Sequence, residues 1–250
     1  MILFLTSSPT GPLDGSRQVS GLDPMNGFPE RLRAAVPEGS AALIVTAFPD
    51  DSVVNDEMRA FFENALRQSG IPISCLDLWD RRSSMLSRGD IARYGLILLG
   101  GGHVPTQNRF FAEISLREKL AGFNGVVLGI SAGSMNAAET VYVQPEEPGE
   151  SLDPFFPRSL PGLALTKAQI LPHYQMVKNR LLDGRRLFED ITYGDSYGRT
   201  FLVLCDGSYL LAENGRETVF GEAYRIADGI CAPFCRDAEC REWIARQEQQ

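Results

Sequence analysis

Apolar residues gather along this chain in short unbroken runs, separated by stretches in which they recur at helical spacing. The runs are ILFL at the start, AALIVTAF at 41–48, IPISCLDL at 71–78, YGLILLGGG at 94–102 and NGVVLGI at 124–130. Strands without polar alternation are those buried on both faces, as in a sheet covered by helices on either side. Between the runs, 26–36 is short and amphipathic, 56–69 carries helical periodicity up to a stop at Gly70, and 108–121 reads as helical. Alternating strands and helices predict an α/β fold with a doubly wound, mostly parallel sheet and flanking helices. Ligands of such sheets bind at the carboxyl ends of the strands.

The last third adds the strands LTKAQILP (165–172) and TFLVLC (200–205), then a β-hairpin across Ala212 to Thr218 that turns at Glu213-Asn214-Gly215, then a short polar tail. The segment from Tyr142 to Leu165 is rich in Pro, Glu and Gly and lacks periodicity, so it reads as a long loop or lid. No repeat or low-complexity tract interrupts the pattern, and 250 residues suit one domain spanning 1–250.

Charge narrows the partners. A net charge of −8 with scattered Lys and Arg argues against nucleic-acid or anionic-membrane binding, which needs a basic face. The apolar runs fall well short of the ~20 residues that cross a bilayer. The opening MILFLTSSPTG reads as a first strand rather than a signal peptide, so a cytoplasmic location is expected. The five cysteines are expected to be reduced thiols. Cys231, Cys235 and Cys240 lack CxxC spacing and a nearby His, so no metal is expected there.

The chemistry concentrates at GISAGS, residues 129–134, which fits the G-x-S-x-G nucleophile elbow with a strand before it and a helix-forming segment after. Gly129 and Gly133 give room for a tight turn that projects the Ser131 hydroxyl. A plain helix cap is the competing reading of Ser131, but a cap needs no flanking glycines. A serine nucleophile requires a base, and the chain has two histidines, His103 and His173. Both follow strand ends, so spacing leaves the choice open, and either could be a merely hydrogen-bonded histidine. Asp206, at the end of TFLVLC and the start of a DGS turn, is the candidate to orient the base; a turn aspartate is the plainer alternative. An N–H of the Gly100 to Gly102 run, paired with that of Ala132, makes a candidate oxyanion hole. The same run fails as a phosphate loop, since no Gly-Lys-Ser/Thr or GxGxxG spacing accompanies it.

The triple glycine, GISAGS, the PHY segment at 172–174 and DGSYLL at 206–211 together resemble the dipeptidase E and cyanophycinase family of serine peptidases. The resemblance implies a fold like that of class I glutamine amidotransferases and the roles Ser131 nucleophile, His173 base and Asp206 acid. It further implies oxyanion donors at Gly101 or Gly102 and at Ala132, His103 touching substrate, and no cofactor. Dipeptidase E proteins remove an N-terminal aspartate from small peptides. Arg185 in DGRRLFEDI, with Arg186 as rival, is the implied receiver of the acidic side chain. A small peptide is then the partner, and a monomer or homodimer the expected state. A glutamine amidotransferase is disfavoured because Ser131 stands where that chemistry needs Cys. A binding protein that kept the pocket without turnover is the alternative of a different class.

Overall fold

The apolar runs become the parallel strands β1 (Ile2–Thr6), β2 (Ser40–Val45), β3 (Ile73–Trp79), β4 (Tyr94–Leu99) and β5 (Val126–Ile130), in the spatial order β1-β5-β4-β2-β3. The computed structural model describes residues 1–13 and 15–244; the polar tail expected at the end lies largely outside them. Successive strand residues point to opposite faces. Leu3, Leu43, Ile97 and Leu99 therefore pack with Phe110, Phe111 and Leu116, while Phe4, Ile44, Leu98 and Leu128 pack with Phe28, Leu32 and Phe62. The second set comes from α1 (Phe28–Ala35) and α2 (Ser52–Gln68). The first faces α3 (Arg88–Ile91), α4 (Val104–Glu113) and α5 (Leu116–Leu120). The expected double-sided cover is thus present.

Local chemistry fixes the boundaries. The Asp51 carboxylate caps α2 by accepting the Val54 N–H at 3.1 Å, and Gly70 ends the following turn at φ 66. The single helix expected over 108–121 is two, α4 and α5, because Ser115 between them adopts φ 51. A short α6 (Ala132–Asn136) follows β5. The 142–165 segment is not free of regular structure: β6 (Thr140–Tyr142) and β7 (Ser159–Pro161) pair antiparallel and close its base. Strands of three residues are too short for a period to show in sequence.

Beyond β8 (Gln169–Leu171) and α7 (Tyr174–Val177), a small hairpin joins β9 (Leu181–Leu182) to β10 (Arg185–Arg186). Next come β11 (Thr200–Leu204) and the expected hairpin of β12 (Tyr209–Glu213) and β13 (Arg216–Phe220). Its turn residues Asn214 and Gly215 take φ 51 and 76, the positive values of a tight hairpin turn. The chain continues through β14 (Ala223–Ala227), β15 (Ile230–Cys235) and β16 (Cys240–Glu242). Strands β12, β13 and β16 extend the central sheet antiparallel from β1, to eight strands in all.

A second sheet, in the order β15-β14-β11-β8, packs on the central one. Ile170, Leu202 and Leu204 point from it into the shared core, whereas Leu171, Phe201, Val203 and Ile226 face Tyr142, Val143 and Phe188. Phe201, fully buried, stacks on Tyr142 with ring centroids 4.4 Å apart, which ties this sheet to the base of the excursion. Among the described residues no helix is long and apolar enough to cross a membrane. Phe201→Ala should lower the unfolding free energy by about 3–5 kcal/mol, read as a lower urea midpoint at unchanged slope.

Candidate active site

Thr6, Ile130 and Tyr209 share one row of the central sheet, so Ser7, Ser131 and Ser208 leave its edge together. Ser131 turns between β5 and α6 at φ 50 and ψ −110, a conformation that costs a non-glycine residue energy. Its neighbours hold it there. A Cβ on Gly133 would stand 2.1 Å from the Leu99 carbonyl oxygen, and one on Gly129 would stand 2.8 Å from Leu5 and 2.9 Å from Ser134. Only hydrogen fits at either place, so α6 lies directly against the ends of β4 and β5. The Ser131 N–H donates to the Thr6 carbonyl at 3.1 Å, and the buried Ser134 hydroxyl donates to the same oxygen at 2.8 Å. The Ser131 side chain makes no cap hydrogen bond, so the helix-cap reading does not hold.

That side chain meets a histidine instead. His173 follows β8 at φ 58, and its Nε2 lies 2.8 Å from Ser131 Oγ, while its Nδ1 lies 2.7 Å from Asp206 Oδ1. Strands β8 and β11 run parallel with Leu171 opposite Val203, which is why His173 and Asp206, shortly beyond them, emerge at the same edge. The Asp206 side chain is fully buried. Burial alone would push its carboxyl up, but hydrogen bonds and charge from His173, together with hydrogen bonds from Ser7 and the Leu13 N–H, hold it below the ordinary carboxylate value. An ionised carboxylate only accepts, so Nδ1 carries the imidazole proton and Nε2 is left to accept from the Ser131 hydroxyl.

The glycine run packs beside this pair. A Cβ on Gly101 would lie 3.5 Å from that of Ser131, so this backbone borders the Ser131 side chain. Gly102, at φ 153, leaves no room for a side chain against Ala47 and Phe48, and Gly100 is anchored through its N–H to Val45 and its carbonyl to Gln107. Ala132 is the first residue of α6, a position whose N–H takes no part in the helical ladder. With only five residues, α6 brings a local N–H rather than a long helix dipole.

The sequence profile of peptidase family S51 matches residues 38–218, most of the chain. The chain belongs to peptidase family S51. It is a serine-type peptidase, and S51 is the dipeptidase E family that the motifs resemble. Two solved structures share the fold of this S51 chain. One is a peptidase from an acI-B1 actinobacterium, 16% identical with a TM-score of 0.63, the alignment covering 97% of this chain and 96% of that one. The other is a candidate peptidase E protein from Listeria monocytogenes EGD-e, 15% identical with a TM-score of 0.56, covering 87% and 96%. No curated protein matches the sequence.

Among the described residues, neither of two expected substrate-side residues makes a hydrogen bond to Ser131 or His173 in this S51 peptidase. Both nitrogens of His103 are engaged, Nδ1 with the Thr106 hydroxyl at 2.8 Å and Nε2 with Glu150 Oε1 at 2.9 Å. His103 therefore fastens the 143–158 excursion to the start of α4. Arg185 is exposed on β10, in the field of Asp183 and Asp190, and among the described residues no contact joins it to Ser131, His173 or Asp206. Its rival Arg186 is engaged by Asp190. Among the described residues, ligand-type atoms lie within reach of one another at His103, Glu147 and Glu150. There His103 and Glu150 already satisfy each other, and the second Glu150 oxygen accepts from the Glu146 and Glu147 N–H groups.

Sequence reasoning passed over two polar residues that the structure builds into the site, Ser7 and Ser134. Their one visible signal is a hydroxyl at the end of a buried strand or inside the elbow. It also passed over Glu146, which burial, then the charges of Glu150 and Glu147, push up to about 7 against the opposing pull of Arg180. A carboxyl raised in the folded state adds stability that is full below its ordinary value of 4.5 and fades as the pH climbs through about 7. Glu146→Gln stays neutral throughout. Its stability relative to the parent should therefore improve between pH 4 and 8, by up to about 3 kcal/mol, in urea titrations across that range.

Proposed function

We propose that this peptidase hydrolyses small peptides through an acyl-enzyme formed on Ser131. His173 Nε2 takes the hydroxyl proton as Ser131 Oγ attacks the scissile carbonyl, and the Asp206 carboxylate stabilises the imidazolium that results. The N–H of Ala132, with that of Gly101 or Gly102, receives the oxyanion. The imidazolium then gives its proton to the leaving amine. Water, deprotonated by His173, cleaves the ester and returns Ser131 to its starting state. No cofactor enters these steps. The observation that carries this reading is the unbroken line of 2.8 Å and 2.7 Å contacts from Ser131 through His173 to Asp206, anchored in a strained turn.

Short substrates suit the setting, because the excursion is fastened at His103, immediately after the glycines that border Ser131. The sharper form of the reading is dipeptides that open with Asp, with Arg185 receiving the carboxylate. The same reading has the enzyme working in the cytoplasm as a monomer or homodimer, free of nucleic-acid and membrane partners, in keeping with its charge of −8.

Ser131→Ala should abolish turnover while leaving the urea midpoint unchanged, and a fluorophosphonate probe should label the parent protein but not the variant. Asp206→Asn should lower kcat by about 10⁴-fold, as expected when the imidazole loses its oriented tautomer. An unaltered rate in folded Ser131→Ala ends the proposal. A panel of dipeptides varied at the first residue, assayed on the parent and Arg185→Ala, tests the aspartyl form: equal rates for Asp and non-Asp substrates dismiss it.

A further inference from the structure

We propose that Ser7 is a positioning residue for the reaction, holding His173 and Asp206 in line with Ser131 from the end of β1. This deepens the Ser131–His173–Asp206 reading and rests on it.

Ser7 is completely buried at the edge where β1 leaves the central sheet. Its hydroxyl accepts the backbone N–H of His173 at 2.7 Å and donates to Asp206 Oδ1 at 2.6 Å. That acceptor oxygen is the one that receives His173 Nδ1–H, and the Ser7 oxygen lies 3.4 Å from Nδ1 itself. A hydroxyl has one proton to give and two lone pairs to offer, so a single side chain serves both partners. Ala would serve neither, and would leave a buried N–H and one carboxylate lone pair short of a partner.

The backbone around Ser7 completes the arrangement. Its own N–H donates to the Ser208 carbonyl at 3.3 Å, in the turn just past Asp206, and the preceding Thr6 carbonyl receives the Ser131 N–H at 3.1 Å. Two adjacent residues, the last of β1 and the one that follows it, thus touch all three proposed members of the reacting line. His173 needs such a tether. Its φ of 58 is unfavourable for a side chain larger than glycine's, and the bond from its N–H to Ser7 holds that turn together with the Met176 and Val177 N–H groups on its carbonyl.

Ser7 also shapes the electronics of the pair. Its proton and that of His173 Nδ1 share one carboxylate oxygen, so each draws on the same electron density. With the Ser7 proton removed, that carboxylate oxygen faces His173 alone and pairs with its ring more tightly. Among the described residues, the Asp206 carboxylate is held by His173, Ser7 and the Leu13 N–H.

The test is Ser7→Ala with Ser131→Ala beside it, each first shown to be folded by its urea midpoint. We expect kcat to fall roughly ten- to a hundred-fold with KM unchanged. The acid limb of the kcat/KM profile should move to higher pH, and fluorophosphonate labelling of Ser131 should slow in proportion. If Ser7→Ala does not fold, Ser7→Cys, of similar shape but a weak donor, takes its place with the same expectations. Parental kcat in the folded variant overturns the role of Ser7. So does a fall in kcat with an unmoved acid limb, or a failure of both variants to fold, since either makes Ser7 a structural support only. A silent Ser131→Ala beside an unaffected Ser7→Ala rejects Ser7 and keeps the proposed reaction; full activity in Ser131→Ala rejects the reaction itself.

Discussion

The tight packing of α6 against the end of β4 is the constraint on which the proposed chemistry depends. Where α6 passes the end of β4, the Gly133 backbone lies so near the Leu99 carbonyl that no carbon substituent can enter. A displacement of α6 by the width of a methyl group would carry Ser131 with it and open its contact with His173. Reaction geometry tolerates errors well below that size. The same tight packing explains how a serine persists at φ 50, at a cost of about 1–3 kcal/mol. The turn cannot relax without separating groups already in contact.

The site is assembled across two sheets rather than within one. The central sheet contributes Ser131 and the glycine run, while the smaller sheet contributes His173 and Asp206 from neighbouring parallel strands. Nothing covalent fixes the distance between those halves. It is set by the shared apolar core of Ile170, Leu202 and Leu204 against the large sheet, and by polar contacts at the edge of β1. Burial supplies the bulk of the adhesion without direction, and the few hydrogen bonds supply the register.

Much of this was legible in the residues. Five unbroken apolar runs become the parallel strands, because strands covered on both sides have no polar face to alternate. The glycines of GISAGS mark a turn whose crowding the structure measures directly. Other features escaped for identifiable reasons. Spacing could not choose between His103 and His173, since both follow strand ends; three-dimensional pairing turns one toward Ser131 and the other toward Glu150. TFLVLC reads as a buried strand in either sheet, so its place beside β8 was not written in its composition. The strands that close the excursion are too short to show a period. Ser7 looked like any polar residue after a strand, because its partners stand 166 and 199 positions away.

Those separations bear on how the protein is made. Strand β1 lies inside the central sheet, between β5 and β12, and both β12 and Asp206 come well after Ser131 in sequence. A nascent polypeptide that already displays Ser131 therefore lacks both Asp206 and the strand β12 that flanks β1 until a further length of chain has been made. The proposed reacting line is complete only once both sheets have formed around β1.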